Sequence, residues 1–236
     1  MTTPLLSVTN LAVQIRGRQV FRGVSFVLRA GRTLGVAGAN GAGKSVLLRA
    51  LVGSVRPSEG DARIDGRSPR QALARTPTAY FAGEGTLPGF ARAAAWSDLG
   101  TGEPLTTERR RIRALPRCNR QLLGLRTELG RHPLSLILLD EPWDGLDPHG
   151  VRWLNATLET KRDRGAAVVL CTRRLDELAG RCDTYLFLTP AAPLLFRAQD
   201  IEHDGRVTPA RLHEVFDTVH HEPTATLAWP RRALPP

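Results

Sequence analysis

Long apolar runs are missing from this chain: no window approaches the roughly 20 consecutive apolar residues needed to span a bilayer as a helix. The opening MTTPLLSVTNLAVQI has neither the basic start nor the unbroken apolar stretch of a secretory leader. The expectation is therefore a cytoplasmic protein that does not itself cross a membrane. Cysteine is scarce. Cys118, Cys171 and Cys182 are odd in number and lack paired ligand spacing, which fits reduced, buried thiols better than disulfides or a zinc site. His220 and His221 read as surface residues without a metal role, as adjacent histidines more often are. Low-complexity tracts and internal repeats are absent too, which argues against solenoids and fibrous chains. Lysine is nearly absent: of 33 basic residues only Lys44 and Lys161 are lysine, against 23 acidic ones, for a formal charge of +10. That sign would suit nucleic acid or an anionic membrane face. No basic helix interleaved with aromatics occurs, so the arginines read as solvated surface and nucleic acid is not the expected partner.

What the sequence does contain, at 236 residues and 42% hydrophobic content, is enough to bury one principal core. Its strongest signal is a short apolar strand, Thr33-Leu-Gly-Val-Ala37, that empties into Gly38-Ala39-Asn40-Gly41-Ala42-Gly43-Lys44-Ser45 and then a helical pattern from Val46. The spacing GxxxxGK[ST] between a strand and a helix is what a phosphate-binding loop requires. Glycines at 38, 41 and 43 let successive N–H groups curl inward at a helix N-terminus, whose dipole favours the same negative charge. Residues 38–46 are thus predicted to bind the phosphates of a nucleotide, with Lys44 reaching the β- and γ-phosphates and Ser45 placing its hydroxyl on Mg2+. A glycine-rich turn of purely structural use would not need each residue type at its own position.

Such a loop wants a carboxylate for the metal, and Leu134-Ser-Leu-Ile-Leu-Leu-Asp-Glu-Pro142 supplies two acids at the end of a predicted buried parallel strand stopped by Pro142. Ligands of open α/β sheets sit at the carboxyl ends of strands. Asp140 is predicted to hold Mg2+ through a water. Glu141 is predicted to orient and deprotonate the water attacking the γ-phosphate, because phosphoryl transfer depends on positioning and charge neutralisation.

Over roughly residues 5–220 the sequence resembles the ABC ATPase family. Val8-Thr-Asn-Leu11, Val24-Ser-Phe-Val-Leu28 and the hairpin Pro57-Ser-Glu-Gly60…Asp65-Gly66 look like its antiparallel β-subdomain, and Gly145-Leu-Asp-Pro148 looks like its D-loop, with Asp147 at the contact between two nucleotide-binding domains. The resemblance implies an α/β fold: a P-loop NTPase core of mostly parallel sheet flanked by helices, an N-terminal antiparallel β-subdomain, and a helical subdomain at about 84–131. Only 31 residues lie between Gly83 and Leu115, so that subdomain is expected to be shortened. Residues 1–188 would form the ATP-binding domain, with Thr184–Leu188 the last strand and 189–236 an appendage carrying a helix at Val207–Phe216. A slow ATPase is implied, one that dimerises with a second ATP-binding subunit around ATP and Mg2+. Dimer closure would drive a separate transmembrane permease subunit, placing the chain peripherally on the inner face of the cell membrane.

Several positions depart from the family pattern. The signature segment falls at Leu115-Pro-Arg-Cys-Asn119, where Pro116 offers no N–H and Cys118 stands in place of glycine. Arg173, after Thr172, replaces a histidine, and arginine cannot accept a hydrogen bond. Gly83, beside Glu84, replaces a glutamine, and Ile15 stands where an aromatic ring would stack on adenine. Arg92–Leu99 reads equally as one short helix at the surface that meets the transmembrane partner or as plain core packing. These departures imply an alternative: a weakly active or inactive ATP-binding half of a heterodimeric complex. A soluble ABC ATPase without a transport role is the third reading.

Overall fold

The computed structural model describes residues 4–83, 87–93, 111–130, 133–189 and 192–221. In chain order the elements are β1 Leu6–Ile15, β2 Arg18–Leu28, β3 Thr33–Ala37, α1 Lys44–Leu51, β4 Glu59–Ile64, α2 Pro69–Ala72, β5 Thr78–Phe81, α3 Arg117–Leu129, β6 Leu136–Asp140, α4 Pro148–Asp163, β7 Ala167–Thr172, α5 Leu175–Leu178, β8 Thr184–Phe187, β9 Leu194–Arg197, α6 Ala198–Ile201 and α7 Pro209–His221. They build two sheets, an antiparallel one ordered β2-β1-β4 and a six-stranded one ordered β5-β6-β7-β3-β8-β9. The second is parallel except for β9, which runs antiparallel to β8. This is the α/β architecture expected.

The central strands β3, β6 and β7 are buried at every position, as apolar runs covered by layers on both faces must be. Alternate residues serve opposite cores. Val36 and Leu138 join Leu47, Leu48 and Leu51 of α1 and Leu6 and Phe26 of the antiparallel sheet. Ala37, Ile137 and Leu139 join Leu125 of α3, Leu154 of α4 and Leu212 and Val215 of α7 on the other side. Each fully buried leucine contributes about 1.5–3 kcal/mol. A third, small cluster, Leu87, Ala93, Ile112, Leu115 and Leu123, lies where the helical subdomain was expected.

Three expectations change in detail. Pro57–Gly66 yields one strand, β4, on the free side of β1, closed by a turn with positive φ at Asp65 and Gly66. The sheet does not end at Leu188: β9 extends it, because Leu194, Leu195 and Phe196 form an apolar strand that can pair at an edge, just after Pro193, where a missing N–H costs no ladder bond. The helix predicted at Val207–Phe216 is α7, and Leu212, Val215 and Val219 seat it on the second core rather than leaving it apart. Of the segment Arg92–Leu99, only Arg92, which bridges to Arg111, and Ala93 lie within the described residues.

Candidate functional site

Strand β3 lies inside the large sheet between β7 and β8, so the loop that follows it leaves from the middle of the carboxyl edge. Gly41 and Gly43 have φ of 82° and 99°, values that L side chains avoid. Space is restrictive as well: a Cβ at Gly43 would sit 2.7 Å from Val20 Cγ1, and one at Gly38 would sit 2.9 Å from the Leu188 carbonyl oxygen. The loop turns into α1 at Lys44, whose first-turn N–H groups have no intrahelical partners. The Lys44 side chain is buried, and its ammonium donates to the Gly38 carbonyl at 2.7 Å and the Ala39 carbonyl at 3.2 Å. It also stands 4.0 Å from Glu141 Oε1, which joins the loop to the acids.

Asp140 closes β6 opposite Cys171 of β7. It is 8% exposed, and its Oδ1 has no hydrogen-bond partner among the described residues. An unsatisfied buried polar atom costs about 1–3 kcal/mol, so this oxygen is poised for a cation or its water. Burial pushes the Tyr80 phenol up, the Asp140 charge adds to this and Arg49 opposes it, so the phenol stays protonated beside Asp140. The Cys171 thiol is likewise raised, first by burial and then by Asp140, and keeps its proton.

Glu141 takes φ of 45°, unusual for a residue with a side chain, and is held there from several directions. Its N–H donates to the Cys171 carbonyl at 2.8 Å. Its carboxylate accepts from the Thr172 hydroxyl at 2.8 Å and from the Arg173 N–H at 3.0 and 3.3 Å. Its carbonyl accepts from Gln121 Nε2 at 3.2 Å. Ser45 and Asp140 offer the hard oxygens that Mg2+ prefers, and the orphaned Asp140 oxygen fits such an ion, which usually takes its remaining ligands from water and substrate phosphates.

A cleft of about 570 Å3 brings together Asn40, Gly41, Gly43, Lys44, Ser45, Val46 and Glu141. The Gly38 and Ala39 carbonyls accept from Lys44, Ala42 packs against the first core, and Asp140 is buried at the end of β6. The far wall is Ile15 and Arg18, the facing pair that closes the β1–β2 hairpin, with Ile15 40% exposed. Pro116 is the N-cap of α3, as its missing N–H permits. Arg117 reaches Asp144 at 2.7 Å, and Cys118 is half-buried. Arg173 serves Glu141 through its backbone, while its guanidinium stands 3.9 Å from Asp144. Asp147 caps α4, accepting from the Gly150 N–H at 2.6 Å. Gly83 has φ of 86°, and Glu84 lies outside the described residues.

Two residues in contact with Glu141 were not singled out from the sequence. Thr172 is the first polar residue after the apolar run of β7, and the pairing of β7 with β6 sets it beside Glu141. Gln121 is a buried polar residue on a helix face otherwise made of Leu125 and Leu129, and that break in the apolar pattern was its only signal.

Residues 21–144 match the family model described as ABC transporter. The chain is 33% identical over 219 residues to the hemin import ATP-binding protein HmuV of Pseudomonas aeruginosa, covering 81% of this chain and 86% of that protein. It is 31% identical over 206 residues to YhcH of Bacillus subtilis, described as an uncharacterized ABC transporter ATP-binding protein, covering 78% and 67% respectively. A solved structure titled as an ATP-binding subunit of an ABC transporter superposes with a TM-score of 0.73 at 23% identity, over 84% of this chain and 91% of that one. With the glycine-rich loop and the paired acids at adjoining strand ends, these similarities lead to one conclusion: the chain belongs to the ABC transporter family, as one of its ATP-binding domains.

Proposed function

We propose that this chain binds ATP with Mg2+ in the cleft, hydrolyses it, and serves as the ATP-binding subunit of a transporter whose membrane-spanning part is a separate permease chain. The observation that carries the reading is the convergence, at the ends of β3 and β6, of Lys44, Glu141 and an Asp140 oxygen that has no partner among the described residues. The loop amides and Lys44 would receive the phosphates, Lys44 trading its two carbonyl partners for them. Ser45 and Asp140 would hold Mg2+, whose chemistry there is to neutralise phosphate charge. Glu141, fixed by Thr172 and the Arg173 N–H, would orient a water and take its proton as the water oxygen bonds to the γ-phosphorus and the bridging oxygen leaves with ADP. Ile15 and Arg18 would face the base.

Partner and place follow the relatives. HmuV is named for hemin import and another relative, from Xanthomonas axonopodis, for export in cytochrome c biogenesis, which supports a transport role without fixing its direction. No helix among the described residues is long and apolar enough to cross a membrane, in keeping with a chain docked peripherally on the inner face of the cell membrane against a permease. Closure of this subunit on a second ATP-binding subunit around the nucleotide would transmit the work. A regulatory, weakly active half of a heterodimer is the second reading, favoured by Pro116, which lacks an N–H, and by Arg117, which is tied to Asp144 of its own chain.

ATP turnover of the wild type beside Glu141→Gln, with gel filtration in MgATP, tests the proposal. Glu141→Gln is expected to lose at least about 100-fold in kcat with nucleotide affinity kept, and to accumulate as a dimer. Equal turnover by the two proteins would refute the assignment of Glu141. A wild type that binds MgATP without turning it over would select the regulatory reading.

A further inference from the structure

We propose that Gln121 is a positioning residue for Glu141, through which the placement of helix α3 sets the placement of the carboxylate; this rests on the reading of Glu141 as the group that activates water. Glu141 opens a turn that closes with the Asp144 N–H donating to the Glu141 carbonyl at 3.1 Å. Gln121, 2% exposed, adds its amide to that same carbonyl and to the Pro142 carbonyl, both at 3.2 Å. The Glu141 carbonyl belongs to the peptide plane that fixes ψ of Glu141, and the Pro142 carbonyl to the next plane along the turn. A left-handed φ at a residue bearing a side chain persists only where its surroundings over-determine it, and Gln121 is the contribution of α3 to that constraint.

The same helix holds the far end of the turn. Arg117 lies four residues before Gln121, hence on the same face, and bonds Asp144 Oδ2 at 2.7 Å. Against the opposite side stand Thr172 and Arg173, which hold the Glu141 carboxylate, with the Arg173 guanidinium 3.9 Å from Asp144 Oδ1. The turn at 141–144 is therefore clamped between α3 and the end of β7. Leu115, just before α3, and Leu123 within it pack in the small third cluster, while Leu125 and Leu129 seat the helix on the second core. A shift of that cluster moves Gln121 and Arg117 together, and Glu141 with them.

The Arg173 amide reports the carboxylate directly, since its hydrogen bond to Glu141 exists only while Glu141 is in place. Amide exchange measured by NMR on the nucleotide-free chain tests the proposal, with Glu141→Ala setting the unprotected limit. In Gln121→Met, which keeps shape and removes the donor, Arg173 exchange is expected to rise at least about tenfold toward that limit, with the amides of β3 and β8 changing less than about twofold. Gln121→Glu, which turns an acceptor toward the two carbonyls, is expected to do the same and serves should the first variant not fold. In turnover, kcat is expected to fall about tenfold at unchanged KM, with no further loss when Gln121→Met is added to Glu141→Gln. Unchanged Arg173 protection in both variants overturns the proposal, as does a uniform rise across all amides, which would mark a merely structural role. If Arg173 loses protection as expected while the wild type shows no turnover, the positioning stands and the chemical role of Glu141 falls.

Discussion

Lys44 can be tested quantitatively because the structure shows what its ammonium does before nucleotide arrives. Lys44→Met keeps the buried stem and removes the charge that is now bonded to Gly38 and Ala39. A phosphate charge about 4 Å from an ammonium gains ~4 kcal/mol at an effective dielectric of about 20. Against this stands the surrender of the two charge-assisted bonds to loop carbonyls, which at about 1.5 kcal/mol each offsets about 3 kcal/mol. The difference, about 1 kcal/mol, predicts a roughly fivefold weaker Kd for MgATP. Fluorescent-nucleotide titration at fixed salt measures it, with inorganic tripolyphosphate as a second ligand that should lose affinity by a similar factor. Stability in urea should change by less than about 1 kcal/mol, because the lost bonds are compensated by relief of a buried charge. A Kd within twofold of wild type would show that this ammonium does not face the phosphates and would remove the reading of the cleft.

Two further outcomes concern the fold that supports the site. Gly124→Ala should destabilise by about 1 kcal/mol in urea titrations even though alanine gains about 1 kcal/mol in a helix, because the added Cβ would stand 2.7 Å from the ring of Phe81, itself buried, and such overpacking costs about 1–3 kcal/mol; a stabilised variant would contradict the packing of α3 on β5. Burial pushes the Cys182 thiol well above its ordinary value of 9.0, with the Asp183 charge adding to this and Arg181 opposing it. The folded state holds that proton more tightly, so its contribution is complete below about pH 9 and is lost as pH rises and the unfolded thiol ionises, by up to about 1.4 kcal/mol per pH unit. Unfolding free energies between pH 8 and about 10.5 should therefore fall less steeply in Cys182→Ala than in wild type, and parallel slopes would count against the shift.

Much of the site was legible along the chain because its parts are local. Residues 38–45 carry their own geometry: glycine where φ is positive or a Cβ would clash, lysine at the first helical position, serine beside it. Asp140 and Glu141 follow an apolar run that could only be a buried strand, and the run is β6. The continuation of the sheet past Leu188 was harder to read, since four residues next to Pro193 form a strand only because the edge of β8 is there to pair with. The grip on Glu141 is harder still. Gln121, Thr172 and Arg173 lie 20 to 32 residues from it in sequence.

By itself, then, the sequence determined the loop, the strand that ends in two acids, the order of apolar segments and the kind of ligand they suit, because glycine conformations, helix starts and strand periodicity are set within a few residues. Only the tertiary structure decided that Lys44 rests on Gly38 and Ala39, that one Asp140 oxygen is left without a partner among the described residues, and that α3 holds the turn after β6 at both ends. Those facts depend on which strands pair and how a helix lies across them, and hydrogen bonds that close over 20 or more residues exist only once the two cores have packed.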